Sequence, residues 1–319
     1  MTRLTWLTIV VLALLAALPP LFIWSGNAFW VDLATRLVIL SIAAISLNLV
    51  LGYGGMISFG HAAFIGIGAY AVGIPVYHAT YGEWDAVASY SGWFQFPLAI
   101  IAAALFALVT GAICLRTRGV YFIMITMAFA QMAYYFFVSI ERYGADDGLV
   151  IDVRSELSAI SFDNPLTLYY FCFISLLAAL FIVHTITRSR FGMVLQGVKG
   201  NEERMVTLGY NVYFYRLTAY VISGAMCGYA GALLGNFTTF ISPEMMDWTR
   251  SGELMFMVIL GGVATTIGPV LGAVSFVVIE EVLSHFTIYW RLPFGLLLIT
   301  VVLFARGGLV GIARGRARS

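Results

Sequence analysis

Long apolar runs separated by short polar stretches recur along the whole sequence. About 20 apolar residues are enough for a helix to cross the hydrocarbon layer of a membrane. Runs close to this length occupy Met1–Trp24, Val31–Leu51, Phe59–Tyr77, Phe96–Leu115, Val120–Val138, Leu168–Thr187 and Leu217–Asn236. Only 10% of the residues are charged, whereas a soluble domain has about 25%. The sequence therefore predicts an all-α, polytopic membrane protein that forms a single transmembrane domain over residues 1–319.

The apolar run Leu254–Leu283 is too long for one crossing. Glycine and proline interrupt helices, and this run contains Gly261, Gly262, Gly268 and Pro269. We expect two short crossings joined by a turn. With Leu292–Ala305 as the last span, and with Met1–Trp24 interpreted as an uncleaved span because no clean cleavage site follows it, the prediction is about ten transmembrane helices.

Basic residues are unevenly distributed between the predicted loops. With the N-terminus inside, twelve of the 17 basic residues lie on the inner side, and loops facing the cytoplasm carry an excess of Lys and Arg. We therefore expect a multi-pass protein with both termini in the cytoplasm.

The stretch Arg188–Arg216 is the longest polar interruption on the inner side, and it contains the only lysine, Lys199. Its apolar residues recur at intervals of three and four, which predicts short amphipathic helices lying along the membrane face. Charge alone leaves two functions open for this segment: binding lipid headgroups or binding a cytoplasmic partner.

No Asp, Glu, Lys or Arg lies in the middle third of any predicted span. Ion-coupled carriers hold such residues at mid-depth to bind the driving ion, so the sequence favours facilitated diffusion or a motor on another chain. A phosphate-binding loop within this chain is excluded because Lys199 lies in Gly197-Val198-Lys199-Gly200, without the required motif. Motifs of hydrolases and metalloenzymes are also missing, so we expect no enzyme activity, no metal site and no cofactor in this chain.

Glycines also interrupt the apolar sequence between residues 46 and 64. Irregular backbone at membrane depth is tolerated where it is buried or lines a cavity. We expect helix breaks at Gly54, Gly55 and Gly60, as at Gly261, Gly262, Gly268 and Pro269. The polar residues expected near a substrate path are Asn48, Ser58, Thr126 and Gln131. His61 is interpreted as a packing residue, since nothing nearby supplies a second metal ligand.

Small residues form a stripe at helical spacing in two spans, which predicts close contact between helices. The stripes consist of Ala62, Gly66, Ala69 and Gly73 in one span and Gly224, Gly228, Gly231 and Gly235 in the other.

Two runs carry a resemblance to a known family: Asn48-Leu49-Val50-Leu51-Gly52-Tyr53-Gly54-Gly55 and Ser58-Phe59-Gly60-His61-Ala62-Ala63-Phe64. They resemble the LivM-type permeases of ABC importers for branched-chain amino acids. The family's cytoplasmic coupling loop is similar to Arg188-x-Arg190-Phe191-Gly192, Asn201-Glu202-x-Arg204 and Leu208-Gly209-Tyr210-Asn211-Val212. One departure is Met205-Val206, where the family commonly has small alanines.

The resemblance implies a type II-like importer permease that moves branched-chain or related small neutral amino acids. It implies a location in the bacterial inner membrane and four partner subunits besides membrane lipid: a second, LivH-like permease, two cytoplasmic LivG/LivF-like ATPases that bind ATP and Mg²⁺, and a periplasmic amino-acid-binding protein. No nucleic acid is expected. The segment 188–216 becomes the coupling loop, with ATPase contacts expected at Arg190, Phe191, Gly192, Asn201, Glu202, Arg204, Leu208 and Gly209. The alternatives are a permease for urea, amides or other amino acids, and a stand-alone facilitator channel.

Overall fold

Helices make up almost all of the computed structural model, which describes residues 3–24, 28–82, 88–157, 160–286, 289, 291–304 and 307–313. The α-helices are α1 (Arg3–Trp24), α2 (Ala28–Asn48), α3 (His61–Tyr81), α4 (Gly92–Cys114), α5 (Val120–Val138), α6 (Pro165–Arg188), α7 (Arg190–Gly200), α8 (Glu202–Thr207), α9 (Val212–Thr238), α10 (Trp248–Gly261), α11 (Gly268–Phe286), α12 (Arg291–Phe304) and α13 (Gly308–Ala313). A π-helix, Leu49–Tyr53, continues α2, and 3₁₀ turns occupy Glu141–Tyr143 and Pro243–Met246.

Seven of these helices, α2 to α6, α9 and α11, are long and apolar enough to cross a membrane. This confirms the all-α, multi-pass class. Every predicted span falls on a helix. Within α1 and α12, the apolar segments found among the described residues are shorter, Thr8–Pro20 and Arg291–Val301, and α10 has only 14 residues. The count of ten crossings therefore stays a prediction.

The most buried of the membrane-spanning helices are α2, α3 and α9, and glycine sets the contact between α3 and α9. A Cβ atom at Gly68 of α3 would collide with the carbonyl of Gly228 in α9, and one at Gly231 would collide with the carbonyl of Ile65. The predicted α9 stripe does face α3 and α4. The α3 stripe does not consistently face α9, because Gly66 packs against Met246 instead, and the glycine that contacts α9 is Gly68.

Two short antiparallel strand pairs cover the end of the bundle at which α9 terminates. Strand β1 (Leu149–Val150) pairs with β4 (Phe240–Ile241), and β2 (Glu156–Leu157) pairs with β3 (Ile160–Ser161). The amide of Ser155 donates to Asn236 Oδ1 over 2.8 Å, which attaches this cap to α9.

Ion pairs form separately at the two ends of the bundle. At the start of α9, Glu202 pairs with Arg118 and Arg216. At the other end, Arg36 pairs with Glu280. Each of these ion pairs thus joins residues that the predicted spans place on the same side of the membrane.

Candidate functional site

The break after α2 is held against the break between α10 and α11 by one side chain. Asn48 Nδ2 donates to the carbonyl of Thr265 over 2.9 Å, and the amide of Ala264 donates to Asn48 Oδ1 over 3.0 Å. Asn48 is buried, so both of its polar atoms satisfy backbone groups that the broken helix would otherwise leave unpaired. The two irregular segments therefore form a single structural unit.

The turn between α10 and α11 reverses the chain over residues 262–267. Gly262 has φ 126°, a conformation that side chains disfavour. Thr265 Oγ1 accepts from the amide of Gly268 over 3.1 Å and donates to the carbonyl of Gly262 over 2.7 Å. Beyond the turn, a Cβ atom at Gly272 would collide with the carbonyl of Met257. The helices α10 and α11 thus form a tight hairpin.

A buried polar chain connects α3, α5 and α9 at the start of α3. Both ring nitrogens of His61 are in hydrogen bonds, one with Ser58 Oγ at 3.2 Å and one with Ser223 Oγ at 2.9 Å. Thr126 Oγ1 accepts from the amide of Phe59 over 3.3 Å and donates to the carbonyl of Ile123 over 2.9 Å. His61 is therefore a satisfied interior histidine, and no group of three metal-ligating side chains is found among the residues that the structure describes.

The segment 188–216 folds as two short helices, α7 and α8, before it enters α9. Ser189 Oγ accepts from the amide of Gly192, and Asn201 Oδ1 accepts from the amide of Arg204 over 2.9 Å, so each helix has a side-chain N-cap. The helices share a small apolar core separate from that of the bundle, made of Val194, Val198 and Val212 with Met205 and Tyr215. The pair is therefore a compact unit attached to the bundle.

Two hydrogen bonds attach α7 to the bundle. Lys199 Nζ donates to the carbonyl of Gly52 in the π-helix over 2.7 Å, and its aliphatic stem lies against Gly55, where φ is 68°. Gln196 Nε2 donates to the carbonyl of Thr187 at the end of α6 over 3.1 Å. The lysine bond links the surface helix directly to the break after α2.

Glu202 joins α8 to two other elements. Its carboxylate oxygens lie 3.0 Å from Arg118, in the α4–α5 connection, and 3.0 Å from Arg216, in α9. The Glu202 side chain is only 21% exposed. Glu202 is therefore engaged within the chain, whereas its neighbour Arg204 is exposed.

The remaining predicted coupling residues divide into a structural set and a surface set. Phe191 stacks on Tyr215 with ring centroids 5.5 Å apart, and Gly192 is buried under the carbonyls that end α6. Arg190, Asn201 and Gly209 are exposed, and Leu208 is 64% exposed. We define the surface set as the exposed residues Arg190, Met193, Arg204, Val206, Leu208 and Gly209. Asn201 is exposed too, but its side chain caps α8.

The residues predicted for a substrate path occupy different environments. Asn48, Ser58 and Thr126 are buried; Asn48 is bonded to the α10–α11 turn, Ser58 to the His61 ring and Thr126 to the carbonyl of Ile123. Gln131 is half-buried on α5. Ser58 and Thr126 lie on either side of Phe59 and Gly60, whereas Asn48 faces the α10–α11 turn. A role for these four residues in transport stays a prediction.

Three contributors were missed from the sequence: Lys199 as a link, and Arg118 and Arg216 as partners of Glu202. The sequence indicated the charge and the predicted loop of each residue, but it did not indicate the contacts that these residues make with distant parts of the chain. The expected breaks at Gly54, Gly55 and Gly60 lie in the irregular stretch between the π-helix and α3. Those at Gly261, Gly262, Gly268 and Pro269 flank the α10–α11 turn.

Several known proteins are similar in sequence to this chain. The sequence profile described as "Branched-chain amino acid transport system / permease component" matches residues 29–305. The high-affinity branched-chain amino acid transport system permease protein LivM of Escherichia coli (strain K12) is 26% identical over 97% of this chain and 75% of its own length. A probable branched-chain amino acid transport permease protein LivM of Methanocaldococcus jannaschii is 25% identical over 84% of this chain and 89% of its own length.

A further likeness covers less of the chain. The nucleoside ABC transporter permease protein NupC of Lactococcus lactis subsp. cremoris is 31% identical over 41% of this chain and 45% of its own length. No solved structure matches the chain. Because the family profile covers most of the sequence, from α2 to the end of α12, this protein belongs to the family of branched-chain amino acid transport system permease components.

Proposed function

We propose that this chain is the membrane-spanning subunit of an ATP-driven importer for branched-chain or related small neutral amino acids. The observation that carries the proposal is the attachment of α7–α8 to the break after α2 through Lys199 and Gly52. A compact surface unit with its own core and an exposed face suits a docking partner, and the lysine bond gives that partner a mechanical route into the bundle. The family membership and the names of its relatives support the transport of amino acids.

In this proposal, energy is supplied by other subunits. Two ATPases bind ATP and Mg²⁺ and contact the surface set Arg190, Met193, Arg204, Val206, Leu208 and Gly209. A second permease completes the membrane unit, and a periplasmic binding protein delivers the substrate. The chain lies in the bacterial inner membrane with α7 and α8 in the cytoplasm, in agreement with the excess of basic residues on that side.

The test is uptake by the complete transporter in liposomes. We expect ATP-dependent uptake of leucine, isoleucine and valine when the chain is combined with ATPases, a second permease and a binding protein encoded beside it, and no uptake by the chain alone. Urea, amides and nucleosides serve as competitors, the last because of the likeness to a nucleoside permease. ATP-independent uptake by the chain alone would instead establish a facilitator.

A further inference from the structure

A cavity of about 160 Å³ opens near the end of the bundle opposite α7 and α8. Its walls come from α2, α3, α9, α10 and α11, so the three most buried membrane-spanning helices all reach it. Its volume is several times the space that one water molecule needs. It lies at the end of α9, whereas the coupling unit lies at the beginning of the same helix.

Charges of both signs surround this cavity. Arg36, Arg250 and Glu253 line it, and Glu280 holds Arg36 through contacts of 3.1 Å to both carboxylate oxygens. Arg250 pairs with Glu253 at 3.0 Å. Among the described residues, each pair uses a single guanidinium nitrogen, which leaves other N–H donors of both arginines for a ligand carboxylate. Glu253 offers an acceptor for an ammonium group.

The other side of the cavity is apolar. Leu40, Ile65, Met257 and Phe276 face it from four different helices. Methionine and branched aliphatic side chains adapt well to an aliphatic ligand. A site with adjacent positive and negative groups on one side and aliphatic walls on the other is complementary to an amino acid with an aliphatic side chain.

We infer that this cavity is a binding site for the zwitterion of an aliphatic amino acid, with Arg36 and Arg250 toward the carboxylate and Glu253 toward the ammonium group. The inference rests on the proposed function, because it assigns a ligand of the class that the transporter would carry. The Arg250–Glu253 pair joins two residues of α10 that are three apart, so it fastens no second helix, and it borders the cavity with Arg250 donors that Glu253 does not use. Recognition by paired charges also discriminates against molecules that lack either charge, since an unpaired group in the site is costly.

The first experiment measures binding of radiolabelled L-leucine to the full chain in nanodiscs. We expect saturable binding that unlabelled leucine abolishes. Neither 4-methylpentanoate, which lacks the ammonium group, nor 3-methylbutylamine, which lacks the carboxylate, should compete at similar concentrations. Equal competition by either analogue, or no saturable binding, would overturn the inference. This arm needs no variant and cannot be confused by misfolding.

The second experiment separates recognition of the amino acid from a purely structural role of the ion pair within α10. Arg250→Gln and Glu253→Gln should each weaken leucine binding about tenfold, the loss of one charge-assisted bond. Exchanging the two charges, Arg250→Glu with Glu253→Arg, keeps an ion pair but reverses its direction, and it should also lose binding. Glu281→Gln, beside Glu280 but not in the cavity wall, is the matched control. Wild-type affinity in the exchanged variant would overturn the inference.

Transport distinguishes the two proposals. If the complete transporter imports leucine but the Arg250 and Glu253 variants bind and transport it normally, this site is refuted and the proposed function stands. If the unaltered transporter imports no amino acid, the proposed function fails irrespective of the cavity.

Discussion

The bond from Lys199 to the carbonyl of Gly52 offers the sharpest test of how α7 communicates with the bundle. Lys199→Met removes the ammonium donor and keeps an unbranched apolar stem that can still lie against Gly55. Buried hydrogen bonds to charged groups contribute about 1.5–3 kcal/mol. Lys199 is an exposed residue whose bond is partly buried, so we take about 1 kcal/mol, which corresponds to about a fivefold change in an equilibrium.

We therefore expect Lys199→Met to reduce the number of leucine molecules imported per ATP hydrolysed about fivefold. Basal ATP hydrolysis and membrane insertion should be unchanged, because the packing of Val194 and Val198 is not altered. The assay measures uptake and phosphate release in the same proteoliposomes. Lys199→Arg retains a donor and should restore most of the coupling. Full coupling in Lys199→Met would refute transmission through this bond, and equal failure of Lys199→Arg would mean that the stem rather than the donor matters.

Three further predictions concern helix packing, the charges of the segment 188–216 and the orientation in the membrane. Gly68→Ala should lower the melting temperature of the protein in detergent, because the added methyl group would collide with the carbonyl of Gly228. Gly295→Ala should not lower it, because the space around Gly295 is open. Arg204→Glu, at an exposed position, should lower substrate-driven ATP hydrolysis without changing thermal stability. Glu202→Gln should lower stability through its two lost ion pairs. If instead Arg204→Glu lowered only stability and Glu202→Gln lowered only ATP hydrolysis, the ATPase contact would lie elsewhere. Ser284→Cys, in a variant without the native cysteines, should react with an impermeant reagent outside intact cells, and protection there would contradict the proposed orientation.

The helices could be predicted from the sequence because membrane-spanning segments must satisfy their own backbone and therefore appear as long apolar runs. The helix α5 has the predicted bounds, Val120–Val138. The turn between α10 and α11 was also predictable, since glycine and proline interrupt helices. The helix α10 ends at Gly261, Gly262 lies in the turn, and α11 begins with Gly268 and Pro269. The two termini, which were predicted to be cytoplasmic, lie outside the described residues.

Contacts between distant segments could not be predicted in the same way. Glycine spacing identified a helix that packs closely, but it could not distinguish Gly66, which faces Met246, from Gly68, which faces α9. The family resemblance implied an ATPase contact at Glu202, which stays a prediction, but it did not indicate the two ion-pair partners that Glu202 has within this chain. A charged residue near a helix end has many possible neighbours, and only the three-dimensional arrangement selects among them.

The cavity and the coupling unit share two helices, α2 and α9, which differ in how they can respond to force. The helix α9 has 27 uninterrupted residues, about 40 Å at 1.5 Å per residue, and close contacts at Gly228 and Gly231 hold it against its neighbours. The helix α2 reaches the cavity at Arg36 but ends in a π-helix and an irregular stretch. Because π-helical turns and irregular joints adjust more readily than a packed helix, we expect movement of α7 to reach the cavity through α2, with α9 acting as the fixed support.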